Sequence, residues 1–170
     1  MKDYIFRKAG LQDLSAIGQI FRDAVSRMLD EGKKQWTENY PTDVHALADI
    51  NRGDGYILES DSRVAVYGAV IFTGEPAYSH LRGKWLRDVP YVVVHRMAVA
   101  KEMQHMGIAG RFLASVERLA IQHGVDSFRV DTNFDNDRML NLLKSCGFNY
   151  CGEITYESGD RIAFEKEIRK

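Results

Sequence analysis

His95 lies in the run Tyr91-Val92-Val93-Val94-His95-Arg96-Met97-Ala98-Val99, four residues before its end. Histidine changes charge near neutrality, so in a strand beside a reacting group it can take a proton from an attacking nucleophile. Strand alternation puts it on the face of Met97 and Val99. The same side chain can instead be bonded into the structure beside Arg96. A second stretch follows at once: Gln104-His105-Met106-Gly107-Ile108-Ala109-Gly110, then an amphipathic run to Gln122. The first N–H groups of a helix have no helical partners, and the helix dipole favours an anion there. Gly107, Ala109 and Gly110 carry little or no side chain, so a ligand can approach the backbone closely. Strand, small-residue turn and helix start make a phosphate-binding arrangement. The small residues would also permit close helix–sheet packing.

The elements that must position these residues are read from periodicity. Tyr4–Lys8 reads as a first strand. Leu11, Leu14, Ile17, Ile20, Phe21, Ala24, Val25, Met28 and Leu29 recur at helical spacing up to Gly32. Thr42, after Pro41, caps a second helix running to about Arg52. Gly55–Glu59 and Val64–Thr73 read as a hairpin through Ser60-Asp61-Ser62. The polar, aromatic segment 74–90 is longer than a hairpin turn needs and reads as a functional loop. Tyr91–Val99 is then the fourth strand, 107–123 the third helix and Ser127–Asp131 the fifth strand. Asp135–Ser145 is the fourth helix, capped by Asp135 and closed near Gly147. Asn149–Tyr156 and Arg161–Ile168 form a last hairpin.

Gln104, Gly107 and Ala109 fit the spacing Q/R-x-x-G-x-G/A. With the strand ending Met97-Ala98-Val99 before them, they resemble the acyl-coenzyme A signature of the GNAT N-acetyltransferase superfamily. A second block extends the resemblance: Phe128-Arg129-Val130-Asp131-Thr132, Asn136, Leu142 and Cys146-Gly147-Phe148. The resemblance implies a mixed α/β fold in one domain, 1–170. Its sheet would be twisted and of six to seven strands, flanked by about four helices and splayed between the fourth and fifth strands, which run parallel. It implies acetyl-coenzyme A as co-substrate and acetyl transfer to a primary amine of a small molecule or peptide, by direct attack in a ternary complex. A non-catalytic coenzyme A-binding module, and transfer of a longer acyl chain or to a hydroxyl, are the alternatives.

Residue by residue, the resemblance gives the pyrophosphate to the main chain of Gln104, His105, Met106, Gly107, Ile108, Ala109 and Gly110. It gives the pantetheine arm to the main chain of Met97, Ala98 and Val99, with Asn136, Met139, Leu142 and Leu143 along the same groove. An N–H near Met97 or Val99 would stabilise the oxyanion. His95 is the expected base. Leu143 stands where the family usually carries the proton-donating tyrosine, so Tyr150, Tyr156 and Tyr91 are the substitutes, with solvent water as the alternative. Acceptor groups in such folds come from the first helices and from the loop before the fourth strand. Trp36, Tyr40, Trp85 and Tyr91 are the candidates there, although the tryptophans would serve equally as plugs beneath loops.

The chain of 170 residues is 45% hydrophobic and 28% charged, enough for one good core. Lys+Arg (23) and Asp+Glu (24) nearly cancel, which gives no reason to expect nucleic acid or a membrane as partner. The first ten residues carry no apolar run of signal type, and Val64–Phe72 is too short to span a bilayer, so a cytoplasmic location is expected. Cys146 and Cys151 are too few for a disulfide scaffold or a four-thiolate metal site and read as packing thiols, so no metal is expected. The edge of the last strand offers a contact for a homodimer.

Overall fold

The computed structural model describes residues 2–168. The chain divides into two compact units, Met1–Val70 with His95–Ser115, and Ile71–Val94 with Val116–Lys170.

In the first unit, β1 (Tyr4–Lys8) pairs antiparallel with β2 (Gly55–Ser60), which continues antiparallel into β3 (Arg63–Ile71). Asp61 and Ser62 both have positive φ, 51° and 61°, so the hairpin closes on a two-residue turn of the primed kind, shorter than the spacing predicts. Helix α1 (Leu14–Asp30) buries Ile17, Ile20, Phe21, Ala24, Val25 and Met28 along one stripe. It starts three residues later than periodicity predicts. Leu11 is exposed in a 3-10 turn, because Asp13 Oδ2 accepts the Gly10 N–H at 2.8 Å and the Arg7 guanidinium at 2.8 Å. Helix α2 (Asp43–Arg52) keeps its expected bounds. Its entry is fixed by the Thr42 N–H donating to His45 Nδ1 at 3.0 Å, and its exit by Gly53 at φ 77°. The core of this unit gathers Ile17, Phe21, Trp36, Ala46, Ile57, Tyr67 and Ala98.

The second unit holds β4 (Arg82–Gly83), β6 (Ser127–Thr132), α4 (Asp137–Ser145), β7 (Asn149–Tyr156) and β8 (Gly159–Glu167). The segment read as a loop, 74–90, is partly ordered. A 3-10 turn spans Pro76–His80, and the two residues of β4 pair with Glu153 and Gly152 of β7. Gly83 and Gly152 are both needed for that approach, since a Cβ on Gly83 would lie 2.1 Å from the Cys151 carbonyl oxygen.

Three elements carry the chain between the units: β3, whose last residue Ile71 belongs to the second, β5 (Val92–Val99) and α3 (Ile108–Gln122). Among the described residues eight strands form one mixed sheet in the order β1-β2-β3-β5-β6-β8-β7-β4, two-residue β4 accounting for the excess over the six to seven expected. The strands read as fourth and fifth are therefore β5 and β6, and they run parallel, with Val92 opposite Phe128 and Val93 opposite Arg129. Strand β8 lies between β6 and β7, so the last strand has no open edge, and the dimer contact expected there is lost. Among the described residues no helix is long and apolar enough to cross a membrane.

Candidate functional site

Strand β5 is regular for its first three residues, which are buried, and is then interrupted. Arg96 has φ 53°, a left-handed conformation uncommon for a non-glycine residue and unusual inside a strand. The interruption breaks the strict alternation that placed His95, Met97 and Val99 on one face. His95, Arg96 and Met97 are all half-buried, and Ala98 turns into the core of the first unit. The strand end is held by the Ala100 N–H, which donates to the Ala65 carbonyl at 2.8 Å.

A 3-10 turn at Lys101–Met103 leads into the small-residue loop. His105 and Gly107 have φ of 64° and 70°, so left-handed residues alternate with Met106 between them. Left-handed residues are the kind of backbone from which anion nests are built. Helix α3 then starts at Ile108, one residue later than predicted. Among the described residues none of the N–H groups from Met106 to Gly110 has a main-chain acceptor. A Cβ at Gly107 would have no atom within 4 Å, so the space over the turn is open. Ile108 is buried, which leaves its main chain as the part able to meet a ligand, whereas His105 and Met106 are exposed. Gln104, Ala109 and Gly110 are half-buried. Donors, open space and helix start together fit a pyrophosphate.

The second unit revises several expectations. Asn136, not Asp135, caps α4: its Oδ1 accepts the Met139 N–H at 3.2 Å, and its Nδ2 donates to Thr132 Oγ1 at 3.1 Å. Leu143 is completely buried and lines no groove, whereas Met139 and Leu142 are half-buried. Tyr156 donates its hydroxyl proton to Asp131 Oδ2 at 3.0 Å, and the buried Tyr78 donates to the same oxygen at 2.8 Å. Burial, reinforced by the Asp131 charge, pushes both phenols well above the usual tyrosine range. Tyr156 is thus held protonated with its hydrogen committed. Tyr150 is 62% exposed and packs edge-on against Phe164. Trp85 and Tyr91 sandwich the Arg129 guanidinium at 4.2 and 4.0 Å, and the Trp85 indole N–H donates to the Tyr78 carbonyl at 2.9 Å. The Tyr91 hydroxyl accepts the Glu75 N–H at 3.2 Å. These contacts pin the 74–90 segment. Cys151 is buried, and burial, with Glu165 nearby, pushes its thiol up, away from a nucleophilic role. Among the described residues no group of three or more His, Cys, Asp or Glu side chains could hold a metal ion.

On the acceptor side, Trp36 is a core residue of the first unit, edge-on to Phe21, and presents no surface to an acceptor. Tyr40 stays at the surface, 37% exposed, and its hydroxyl accepts Arg96 Nη1 at 3.2 Å. That bond leads to residues the sequence reading missed. Arg96 grips Asp49 with two bonds, Nε to Oδ2 at 3.0 Å and Nη2 to Oδ1 at 2.6 Å. Asp49 also accepts the Tyr67 hydroxyl at 2.5 Å and Arg52 Nη2 at 2.7 Å. Burial works against the charge of Arg96, but the hydrogen bonds and charge of Asp49 outweigh it and keep the guanidinium protonated. Burial, helped by Asp49, pushes the Tyr67 phenol up. The signal for this cluster was present in the sequence: Asp49 falls on the apolar stripe of α2 between Ala46 and Ile50.

The model of the acetyltransferase (GNAT) family matches residues 22–148. An acetyltransferase of that family from Streptococcus agalactiae is 30% identical, with a TM-score of 0.90 over 98% of this chain and 96% of that one. A Salmonella typhimurium structure carrying its cofactor acetyl-CoA aligns with TM-score 0.70 at 16% identity, over 98% of this chain and 95% of that one. The ribosomal-protein-S18-alanine N-acetyltransferase of Escherichia coli aligns with TM-score 0.66 at 15% identity, over 99% and 96%. At such identities the last two speak for the fold alone. No curated protein sequence matches the chain.

Proposed function

Because the chain belongs to the GNAT acetyltransferase family, we propose that it transfers an acetyl group from acetyl-coenzyme A to a primary amine by direct attack in a ternary complex. The observation that carries this reading is the loop before α3. Left-handed turns at His105 and Gly107, open space over Gly107 and N–H groups without main-chain acceptors suit a pyrophosphate. In this reading the amides of the pantetheine arm pair with the main chain of Met97, Ala98 and Val99, as an added strand pairs with a sheet edge.

The amine nitrogen attacks the thioester carbonyl. A carbon–nitrogen bond forms, the carbon–sulfur bond breaks, and coenzyme A leaves as thiolate. The Met97 N–H is the proposed donor to the oxyanion. A lysine-type amine, with a reference pKa of about 10.4, must lose its proton before attack, and His95 is the proposed base. As the intermediate collapses the nitrogen gives up its second proton, through His95 once the first has passed to solvent. The thiolate takes its proton from solvent in this reading, since Leu143 has none to give and the Tyr156 hydrogen is committed to Asp131. The acceptor class is a small-molecule or peptide amine, the class named for the Escherichia coli relative being a protein alanine.

A second reading, a coenzyme A-binding module without turnover, is favoured by the same Leu143. A longer acyl donor has less to recommend it, because Leu143, one of the two residues on which its groove rested, lies in the core, while Met139 stays half-buried. An amine-library screen that reads free thiol, with product mass measured, separates these. Acceptor-dependent thiol release with a gain of one acetyl group supports transfer. Binding of acetyl-coenzyme A with no release across the library supports the module. Replacing His95 with alanine should lower kcat far more than cofactor affinity and flatten its fall at low pH, whereas an unchanged pH–rate profile removes it as base.

A further inference from the structure

Left-handed backbone at a non-glycine residue costs about 1–2 kcal/mol, so Arg96 needs a compensating interaction. The compensation is visible in its side chain, which is only 14% exposed and forks onto Asp49, itself 0% exposed. Asp49 is held from three elements at once: Arg52 of its own helix, Tyr67 of β3 and Arg96 of β5. Four donors saturate the carboxylate, two of them from Arg96 at 2.6 and 3.0 Å, so it has little freedom to shift. The remaining Arg96 nitrogen reaches the Tyr40 hydroxyl at 3.2 Å. Tyr40 in turn stands edge-on to His45 and exchanges main-chain bonds with Thr37. One guanidinium therefore ties α2, β5 and the 37–40 turn together.

Position matters as much as bonding. The peptide joining residues 96 and 97 is a rigid plane, so the torsions of Arg96 set the direction of the Met97 N–H. A buried ion pair is a poor way to gain stability, and an apolar pair would often serve as well. A pair that fixes the direction of one amide has a geometric reason to be charged and forked.

We propose that the Arg96–Asp49 pair is a positioning device for acyl transfer: it holds β5 in its left-handed turn so that the Met97 N–H points at the oxyanion, and through Tyr40 it couples that strand to the 37–40 turn. The proposal rests on the acetyl-transfer reading above. Arg96 and Asp49 act as positioning residues and touch neither substrate.

The test uses the full chain with Arg96→Lys, which keeps the charge but loses the fork, and Arg96→Gly, which keeps access to positive φ but loses the anchor. Three quantities are read: kcat and KM, acetyl-coenzyme A affinity by calorimetry, and amide exchange at Ala100, whose N–H is bonded to the Ala65 carbonyl. Misplacing a reacting group by about 1 Å costs on the order of 10²-fold, so kcat should fall by about that factor in both variants. Acetyl-coenzyme A affinity should fall far less than kcat, by no more than about tenfold, because the loop before α3 is untouched and only the proposed pantetheine contacts to β5 are loosened, and exchange at Ala100 should rise about tenfold. Asp49→Asn gives a third variant with the same expected split. Should Arg96→Lys fail to fold, Arg96→Gly decides. Unchanged exchange overturns the proposal, and so does faster exchange with kcat within twofold of the parent. If the parent binds acetyl-coenzyme A but acetylates no amine, the functional reading fails; the exchange data then decide separately whether the pair holds the strand.

Discussion

Each unit of the molecule places a carboxylate at the centre of a polar network, and the two neutralise it with different donors. In the first unit, Asp49 is fully buried and meets two guanidiniums and one phenol. In the second, Asp131 is half-buried and meets two phenols, and among the described residues no ion pair reaches it. Guanidinium stays charged across the working pH range, so at alkaline pH the Asp49 network keeps two of its three partners charged and bonded, and only the Tyr67 phenol is open to deprotonation. The Asp131 network lasts only while Tyr78 and Tyr156 keep their protons. The strand proposed to present the oxyanion donor is thus anchored by the less pH-sensitive of the two devices. Tyr156, one of the three tyrosines offered as acids, is occupied in holding the other.

Removing the carboxylate that carries most donors should give the largest effect. Asp49→Ala leaves the half-buried Arg96 without its ion partner and Tyr67 without an acceptor, a loss of about 3–5 kcal/mol in urea unfolding. A loss below about 1 kcal/mol would show that the network is dispensable and would break the contrast.

Alkaline pH tests the other side. Both Tyr78 and Tyr156 are raised above the ordinary tyrosine value of about 10, so above that pH the unfolded chain sheds protons that the folded chain still holds. Stability should be flat in this contribution below pH 10 and fall as pH rises beyond it. Tyr156→Phe should remove part of that fall, read as a smaller drop in thermal midpoint between pH 9 and 11. Identical slopes in parent and variant would contradict the assignment. At neutral pH the same variant loses one hydrogen bond to Asp131, about 1 kcal/mol.

The smallest effect sharpens the contrast by control. Arg22 and Asp43 form an ion pair at 3.4 Å with side chains 58% and 56% exposed. Arg22→Ala should cost no more than about 0.5 kcal/mol and vanish in high salt. A cost equal to that of Asp49→Ala would mean that burial is not what distinguishes these networks.

Periodic elements were legible in the sequence and their interruptions were not. α2 kept its predicted ends because Thr42 and Gly53 are strong local signals. α4 lost its first two residues because Asp135, Asn136 and Asp137 are all good caps, and only the bond from Asn136 to the Met139 N–H selects one. β4 was unreadable, since two residues carry no alternation and the strand exists only through the close approach of Gly83 and Gly152. The turn before α3 was legible because its spacing is fixed by small residues; that it binds a cofactor belongs to the proposal. The Asp49–Arg96 pair was not, because the two residues lie 47 apart and only the fold brings them together. Trp36 misled for a related reason. A tryptophan near a loop reads the same whether it lines a pocket or, as Trp36 does, fills a core.

The central claim, that main-chain N–H groups at the start of α3 grip the pyrophosphate of an acyl-coenzyme A, is tested most directly by calorimetric titration of acetyl-coenzyme A. The parent and a Gly107→Val variant would be compared. Gly107 has φ 70° and open space around it, so a β-branched side chain would both strain the turn and fill the approach while leaving the core intact. The account predicts saturable binding to the parent and a loss of at least about tenfold in the variant, equivalent to about 1.4 kcal/mol. No saturable binding to the parent, or equal affinity in a folded variant, would contradict it.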